Sequence, residues 1–403
     1  MASICFYFQV HQPLRLNKFS VFDIGKGRSY FSNDSGDALD NLKILKKVAT
    51  KCYLPANRMF LKLLREHPDF KISFSISGIF LDQLEGEMGE VLESFQELVK
   101  TGRVELMSET YFHSLAFLYS KDEFARQVEL HRKKIKKLFN IQPKVFRNTE
   151  LIYNNDLAKE VEKLGFNGIL LEGADHVLFG KSPNFLYRAK GAKKVKLLLR
   201  NYKLSDDISF RFSNHDWEEF PLDASKFSSW ASSINGSGEV INLFMDYETF
   251  GEHQWEETGI FDFLSNLPRE LLKHPDNNFV TPSEAIKKYP AREELDIENF
   301  VSWADVERDL SAWLSNPMQH DAMSKLYELE AEILSRGDQD LILDWRRLQT
   351  SDHFYYMCTK FFADGDVHKY FNPYDSPYEA FISFMNVLGD LKLRLQSSNK
   401  KKK

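Results

Sequence analysis

Residues 3–10 read Ser-Ile-Cys-Phe-Tyr-Phe-Gln-Val, and this apolar run ends at His11. Six further short runs rich in β-branched or aromatic residues follow before residue 250: Lys71 to Ser77, Val104 to Ser108, Lys144 to Asn148, Gly168 to Leu171, Val195 to Arg200 and Val240 to Met245. Stretches with apolar residues three and four positions apart lie between the runs, which indicates helices. Such an alternation of strands and helices predicts a parallel sheet. We therefore expect an α/β fold in which seven strands form an incomplete (β/α)7 barrel.

An open, doubly wound parallel sheet is the alternative architecture for this pattern. In that fold a glycine-rich, phosphate-binding turn usually follows the first strand. Here the chain continues as His11-Gln12-Pro13 instead. The sequence therefore favours the barrel.

The strand pattern stops after about residue 292, and helical periodicity continues to the C-terminal region. Four segments carry this periodicity: Leu310 to Leu314, Met323 to Leu334, Leu341 to Met357 and Ala380 to Leu395. We expect residues 1–290 to form the catalytic barrel and residues 291–396 a helical bundle domain that completes the substrate cleft. Residues 397–403, which end in four lysines, are predicted to be a disordered basic tail.

The composition limits the classes of partner and the compartment. A formal net charge of −6 provides no basic surface for nucleic acid. Cys5, Cys52 and Cys358 lie far apart, which predicts neither a disulfide framework nor a structural zinc site and favours a reducing compartment. The N-terminus lacks the pattern of a signal peptide, and no stretch approaches the roughly 20 apolar residues of a membrane helix. We expect a cytoplasmic protein without a nucleic-acid or membrane partner; its oligomeric state stays open.

Acidic or imidazole side chains come just past four of the seven runs, namely His11, Glu109, Glu150 and Asp246. In a (β/α) barrel, catalytic groups lie where the strands pass into loops at the C-terminal face. Cleavage of a glycosidic bond requires two carboxyl groups, one to attack or activate water and one to protonate the leaving oxygen. A single acid at the end of a strand is more often a helix cap or a solvated rim residue. The combination, with Glu150 and Asp246 on different strands, favours a sugar-cleaving site.

Further candidates surround these four positions. Glu105 and Glu109 alternate with Met107 and therefore point to the same side of the third strand. His113 could donate a hydrogen bond to a sugar hydroxyl, although a lone histidine of this kind is more often structural. Residues 246–255 read Asp-Tyr-Glu-Thr-Phe-Gly-Glu-His-Gln-Trp and add the candidates Glu248, His253 and Trp255.

The histidines allow a metal-dependent hydrolase as a rival hypothesis. No two of them have the i, i+4 spacing of a helical zinc motif, although ligands at the mouth of a barrel need no periodicity. A nucleophilic serine would be expected in a Gly-x-Ser-x-Gly turn, which the sequence lacks. We therefore expect no metal and no other cofactor.

With these residues in view, the chain strongly resembles glycoside hydrolase family 57, in particular its α-amylase-like branch. Five ordered segments carry the resemblance: Val10 to Pro13, Gly102 to Ser108, Asn148 to Tyr153, Met245 to His253 and Thr281 to Ala285. A sixth stretch, Val301 to Leu314, which includes Trp303, is also similar to this branch. The match covers residues 10 to about 314, and the family's fold is an incomplete seven-stranded barrel with a helical C-terminal part.

The resemblance implies a retaining mechanism with Glu150 as nucleophile and Asp246 as acid/base. It also implies sugar contacts for His11 and Glu105. Two positions depart from the glucan-transferring members, which have His where this chain has Gln9 and an aromatic residue where it has Arg147. Arg147 supplies a cation beside the cleavage point, or it pairs with a carboxylate.

These departures favour an α-amylase that cleaves α-1,4 bonds of starch, glycogen or maltodextrins. The alternatives are a 4-α-glucanotransferase or branching enzyme of the same family, and a weakly active glycan-binding homologue. The residues expected to bind substrate are His11, Gln9, Glu105, Glu109, His113, Arg147, Glu248, His253, Trp255 and Trp303.

Overall fold

Strands that belong to one mostly parallel sheet run through the computed structural model, which describes residues 2–31, 39–362 and 366–397. The strands are β1 (Ser3–Val10), β2 (Ile72–Ile76), β3 (Val104–Leu106), β4 (Val145–Arg147), β5 (Gly168–Glu172), β6 (Tyr187–Ala189), β7 (Lys196–Arg200), β8 (Val240–Asp246), β9 (Asn278–Phe279) and β10 (Glu294–Leu295). The seven predicted runs correspond to β1–β5, β7 and β8. The other three strands, β6, β9 and β10, are two or three residues long and were not predicted.

Parallel pairings connect these seven strands to one another. β1 lies between β8 and β2, and β2 pairs with β3. On the other side of β8, the pairs are β8 with β7, β7 with β5, and β5 with β4. Ser108, just past β3, forms a parallel bridge with Phe146 of β4. Among the strands of the described chain, only β6 runs antiparallel to its neighbour, β7. A mixed α/β fold with a central, mostly parallel sheet is therefore confirmed.

One face of the sheet carries a continuous hydrophobic layer, contributed by residues that are all fully buried: Tyr7, Met107, Val145, Leu170, Leu198 and Phe244. The rings of Tyr7 and Phe244, on neighbouring strands, meet edge to face at 5.4 Å. We call the side of the sheet that bears these six residues the inner face. Side chains alternate along a strand, so residues two positions further on point to the same face.

Helices occupy most of the remaining described chain: α1 (Asn41–Val48), α2 (Leu54–Glu66), α3 (Gly78–Glu87), α4 (Gly89–Lys100), α5 (Lys121–Phe139), α6 (Asn155–Lys163), α7 (Asp175–Leu178), α8 (Tyr202–Ser209), α9 (Ala224–Ser232), α10 (Ile260–Leu272), α11 (Pro282–Lys288), α12 (Ser311–Leu314), α13 (Pro317–Tyr327), α14 (Glu330–Arg336), α15 (Gln339–Arg347), α16 (Ser351–Tyr355), α17 (Asp366–Phe371) and α18 (Pro377–Ser397). The motif around Thr281 is a helix start. Thr281 caps α11 and forms a capping box with Glu284, and Pro282 occupies the first turn.

The chain divides into two units. The first comprises Met1–His11, Lys46–Glu109 and Val128–Trp303, and it contains the strands. The second comprises Gln12–Leu45, Thr110–Gln127 and Ala304–Lys403. Within the second unit, Arg346 Nε donates to Glu123 Oε1 at 2.7 Å, and the Tyr30 hydroxyl donates to Asp390 at 2.5 Å.

These units differ from the predicted division into residues 1–290 and 291–396. The first unit ends at Trp303, and two segments from the first third of the chain belong to the second unit. The contacts that hold them join residues far apart in sequence, such as Glu123 with Arg346, and no local pattern reports such pairs. Of the predicted tail, Ser397 is the last residue of α18, and residues 398–403 lie outside the described residues.

The cysteines and the helix lengths bear on the compartment. Cys5, Cys52 and Cys358 are buried, free thiols. In the described part of the chain, no helix has both the length and the apolar character that crossing a bilayer requires.

Candidate active site

A layer of polar side chains follows the hydrophobic layer of the inner face. On five strands the residue two positions beyond a member of that layer is polar or charged: Gln9, Arg147, Glu172, Arg200 and Asp246. Glu109 follows Met107 in the same way, beyond the end of β3. The C-terminal ends of the parallel strands therefore gather acids and guanidinium groups on one face.

Glu150 lies just past β4 in an unusual backbone conformation. Its φ of 56° and ψ of 28° are left-handed, and Leu151 follows with a φ of 52°. Non-glycine residues adopt this region only when the surroundings impose it, and such strain is concentrated at functional sites. Glu150 is partly exposed, so its carboxylate is within reach of a ligand.

The segment 301–303 is hydrogen-bonded to the turn that contains Glu150. Tyr153 and Val301 exchange two backbone hydrogen bonds of 2.9 and 3.0 Å, and the Trp303 N–H donates to the Glu150 carbonyl at 3.2 Å. The indole Nε1 of Trp303 donates to Glu150 Oε2 at 2.8 Å. A hydrogen bond to the ionised carboxylate fixes its orientation and favours its charged form.

Asp246 is the last residue of β8 and lies in register with Gln9 of β1. It is partly exposed, as is His11, whose Nδ1 lies 2.7 Å from the Ser77 hydroxyl. The pKa of the buried Tyr7 hydroxyl depends on the charges around it. Burial raises the pKa of Tyr7, the positive charge of Arg147 opposes this, and the negative charges of Glu109 and Asp246 add to it.

Arg200 is the hub of a buried ion-pair network. Its Nη1 lies 3.1 Å from Glu172, its Nη2 2.5 Å from Asp206, and its Nε donates to the Phe244 carbonyl at 2.8 Å. Three acceptors thus satisfy this guanidinium. Sequence reasoning missed Glu172 and Arg200, although both stand two positions beyond a hydrophobic residue at a strand end, the same signal that marked Asp246.

Arg147 and Arg200 flank one ring. Their guanidinium carbons lie 5.2 and 5.7 Å from the centre of the Trp303 ring, within the range of cation–π interactions. Arg147 and Glu109 have no solvent-exposed surface, whereas Trp303 is partly exposed. In this structure neither Arg147 nor Glu109 presents surface to a ligand, and their sugar contacts stay predictions.

Glu105 is not with this group. Its carboxylate accepts hydrogen bonds from the backbone N–H of Ser283, at 2.9 Å, and from the Ser283 hydroxyl. Burial raises the pKa of Glu105, and the bonds from Ser283 counteract this. With Lys71, Gly102 and Lys144, it lines an open cavity of about 270 Å³ beside the starts of β2, β3 and β4. Its contacts are those of a structural residue that anchors α11.

The candidate residues of the acidic loop after β8 have different surroundings. The Glu248 carboxylate accepts a hydrogen bond from the buried Tyr53 hydroxyl, and Glu252 pairs with Lys47. Burial lowers the pKa of His253 to about 4 against the opposing charge of Glu252, so the imidazole is neutral at neutral pH. Of the loop's candidates only Asp246 belongs to the inner face. Glu248 and Glu252 therefore have structural partners, Tyr53 and Lys47.

Two candidates remain, Trp255 and His113. Trp255 is 57 % exposed, with the Lys51 ammonium 5.8 Å from its ring centre. His113 belongs to the second unit, where it is buried with a φ of 51° and its carbonyl accepts a bond from Ser351. Across the described ranges, no group of three or more His, Cys, Asp or Glu side chains is arranged to hold a metal ion.

The sequence of residues 5–298 matches the model of glycosyl hydrolase family 57. A protein of Methanocaldococcus jannaschii named "Putative alpha-amylase" is 45 % identical over 398 residues, which cover 96 % of this chain and 83 % of that protein. The chain belongs to glycosyl hydrolase family 57. The recognition from sequence is thereby confirmed, and the protein is a glycoside hydrolase by family.

More distant similarity is found to a further named protein, and two solved structures share the fold. An alpha-amylase of Pyrococcus horikoshii is 24 % identical over 55 % of this chain, but the match spans only 35 % of that protein. A family 57 branching enzyme from Thermococcus kodakaraensis has the same fold, with a TM-score of 0.69 at 15 % identity over 95 % of this chain and 88 % of the other. An alpha-amylase from Thermotoga maritima gives 0.66 at 14 % identity over 98 % and 94 %.

Proposed function

We propose that this family 57 member is a retaining α-amylase that hydrolyses α-1,4 bonds of starch, glycogen or maltodextrins. The observation that carries the proposal is the pair of partly exposed carboxylates, Glu150 and Asp246, at the ends of β4 and β8. The name of the 45 % identical relative supports an α-glucan substrate. The cyclic order of the parallel pairings supports a seven-stranded (β/α)7 barrel as the scaffold that holds the two carboxylates apart.

In this mechanism Glu150 attacks the anomeric carbon while Asp246 protonates the leaving glycosidic oxygen. The bond to the leaving sugar breaks, and a glycosyl-enzyme ester forms on Glu150. Asp246, now ionised, then removes a proton from water, which attacks the ester and regenerates Glu150. The left-handed backbone of Glu150 and the bond from Trp303 hold the nucleophile in one orientation, which reduces the cost of reaching the transition state.

A 4-α-glucanotransferase or branching enzyme remains the second candidate. In such an enzyme a sugar hydroxyl instead of water attacks the ester. The names of related proteins include 4-alpha-glucanotransferase and branching enzyme. A weakly active glycan-binding homologue is the third candidate, and the intact pair of carboxylates counts against it. The three buried thiols support the proposal of a cytoplasmic location.

Product analysis distinguishes hydrolysis from transfer. Incubation with maltoheptaose should produce shorter maltodextrins with one new reducing end for each cleavage, because water takes the glycosyl group from Glu150. Reducing ends are titrated, and products are resolved by size. Redistribution of chain lengths at a constant number of reducing ends would identify a transferase. Material purified identically from the Glu150→Gln variant measures contaminating activity.

Trp303→Phe tests the hydrogen bond to the nucleophile. The variant keeps an aromatic ring but removes the donor, and we expect kcat/KM to fall about 10- to 100-fold, as for loss of a hydrogen bond to a charged group. Because the bond favours ionised Glu150, its loss raises the pKa of that group, and the acid limb of kcat/KM should move to higher pH. An unchanged limb and rate would show that the bond has no role in catalysis.

A further inference from the structure

The guanidinium group of Arg147 is a buried charge without a hydrogen-bonding partner among the described residues. Its Nε, Nη1 and Nη2 atoms are enclosed, and none has an acceptor within bonding distance in the described part of the chain. A buried guanidinium is normally paired, because the loss of hydration must be compensated. An unpaired one in a functional site therefore requires an explanation.

Arg200 shows that a guanidinium group beside Trp303 can have hydrogen-bond acceptors. Both guanidinium groups lie against the same indole ring, and Arg200 has two carboxylates and a carbonyl as acceptors. The positive charge of Arg200 is thus neutralised locally. The positive charge of Arg147 remains available to act on its neighbours.

Trp303 is the contact that joins Arg147 to the nucleophile. Its ring lies 5.2 Å from the Arg147 guanidinium carbon, and its Nε1 donates to Glu150 Oε2 at 2.8 Å. A cation against an aromatic ring withdraws electron density from it. The ring N–H then becomes a stronger donor, since linked polar interactions polarise one another in a low-dielectric interior.

We propose that Arg147 is a positioning residue that acts through Trp303: its unpaired charge strengthens the indole N–H···carboxylate hydrogen bond and so keeps Glu150 ionised and oriented. The proposal rests on the proposed function, in which Glu150 is the nucleophile. It also explains why Arg147 is sealed from solvent, since water at the guanidinium would screen the charge.

Other ionisable groups face the same site and contribute to its field. They are Tyr7 and His11 at β1, Glu109 past β3, Glu172 in β5, Arg200 in β7, Asp206 in α8 and Asp246 in β8. Each of them stays in place when only Arg147 or Trp303 is changed. Their contributions therefore cancel when variants are compared with one another.

The test is a double-mutant cycle on the acid limb of kcat/KM with maltoheptaose. We expect Arg147→Met to move the limb up by about 0.5–1 pH unit, with a rate loss of about 3- to 10-fold below it, and Arg147→Lys to restore part of the shift. In the Trp303→Phe background, Arg147→Met should move the limb by less than about 0.2 unit, because the donor through which it acts is gone. If Arg147→Met moved the acid limb equally far in the Trp303→Phe background, the charge would act directly through space. If it moved the limb in neither background, Arg147 would be merely structural. Either result would overturn the proposal.

A second readout needs no substrate. The indole N–H resonance of Trp303, assigned by its disappearance in Trp303→Phe, should move upfield in Arg147→Met and return towards the parent position in Arg147→Lys. If the resonance did not move in a variant that unfolds at the same temperature as the parent, the proposed action of Arg147 through Trp303 would be refuted.

The two proposals can fail separately. If the parent protein did not cleave maltoheptaose but the resonance moved as expected, the proposed function would be refuted and the action of Arg147 through Trp303 would stand. If Arg147→Met does not fold, Arg147→Gln, which also removes the charge, takes its place in both measurements.

Discussion

Replacing Glu150 with Gln should reduce maltoheptaose cleavage by at least about a thousandfold, because the variant cannot form the glycosyl-enzyme ester. Glu105→Gln is the matched control, since it makes the same change on another glutamate of the inner-face strands. Glu105 lies against Ser283, beside the strand starts, so its replacement should leave kcat/KM within about tenfold of the parent. Initial rates of reducing-end release measure both variants, and circular dichroism checks that each is folded.

Two results would contradict this division of roles. If Glu150→Gln kept more than about a tenth of the parent rate, another group would have to be the nucleophile. If Glu105→Gln were as inactive as Glu150→Gln while remaining folded, Glu105 would have to reach the substrate. The sugar contact implied by the family resemblance would then stand against the placement seen here.

Arg200→Met should lower the free energy of unfolding by about 3–5 kcal/mol, the usual effect of removing one member of a buried ion pair. The substitution leaves Glu172, which is fully buried, and Asp206 without their cation, and the Phe244 carbonyl without its donor. Arg147→Met is the matched control, because it removes a guanidinium from the other contact with Trp303 without breaking a hydrogen bond. We expect that variant to remain within about 1 kcal/mol of the parent or to exceed it.

Urea titration followed by tryptophan fluorescence measures these differences, with the slope compared among the variants to show that the same transition is observed. The contrast between the two arginines is the critical outcome. Equal destabilisation would show that Arg147 has a partner whose loss is as costly as that of Glu172 and Asp206. A large loss for Arg147 alone would remove the basis for treating its charge as available to the nucleophile.

Local patterns in the sequence predicted the seven main strands and their order. The short apolar runs and the polar residues that end them are properties of consecutive residues, and a parallel sheet brings the C-terminal ends of its strands together whatever their order. Glu150 and Asp246 could therefore be predicted as candidates before any contact was known. The same rule, applied to every strand, would also have found Glu172 and Arg200.

The partners of each acid could not be predicted in the same way. Glu105 and Glu109 share a strand face, yet one carboxylate is bonded to Ser283 at the start of α11 and the other lies enclosed near Tyr7. Glu248 lies two residues from Asp246, but its carboxylate accepts a hydrogen bond from Tyr53, 195 positions away. Which group meets a carboxylate depends on segments that are distant in sequence, and periodicity carries no record of them.

What the sequence by itself determined is the alternation of strands and helices and the family, and it proposed Glu150 and Asp246 as the carboxyl pair, because each of these depends on neighbouring residues or on ordered motifs. What only the tertiary structure decided is whether each charged side chain is buried and whether it is paired. Arg147 and Arg200 are both strand-end arginines beside Trp303, yet within the described ranges Arg200 is paired with two acids and Arg147 with none. The physical reason is that burial and ion pairing are set by residues brought together through folding, and the free energy of a buried charge depends almost entirely on those neighbours.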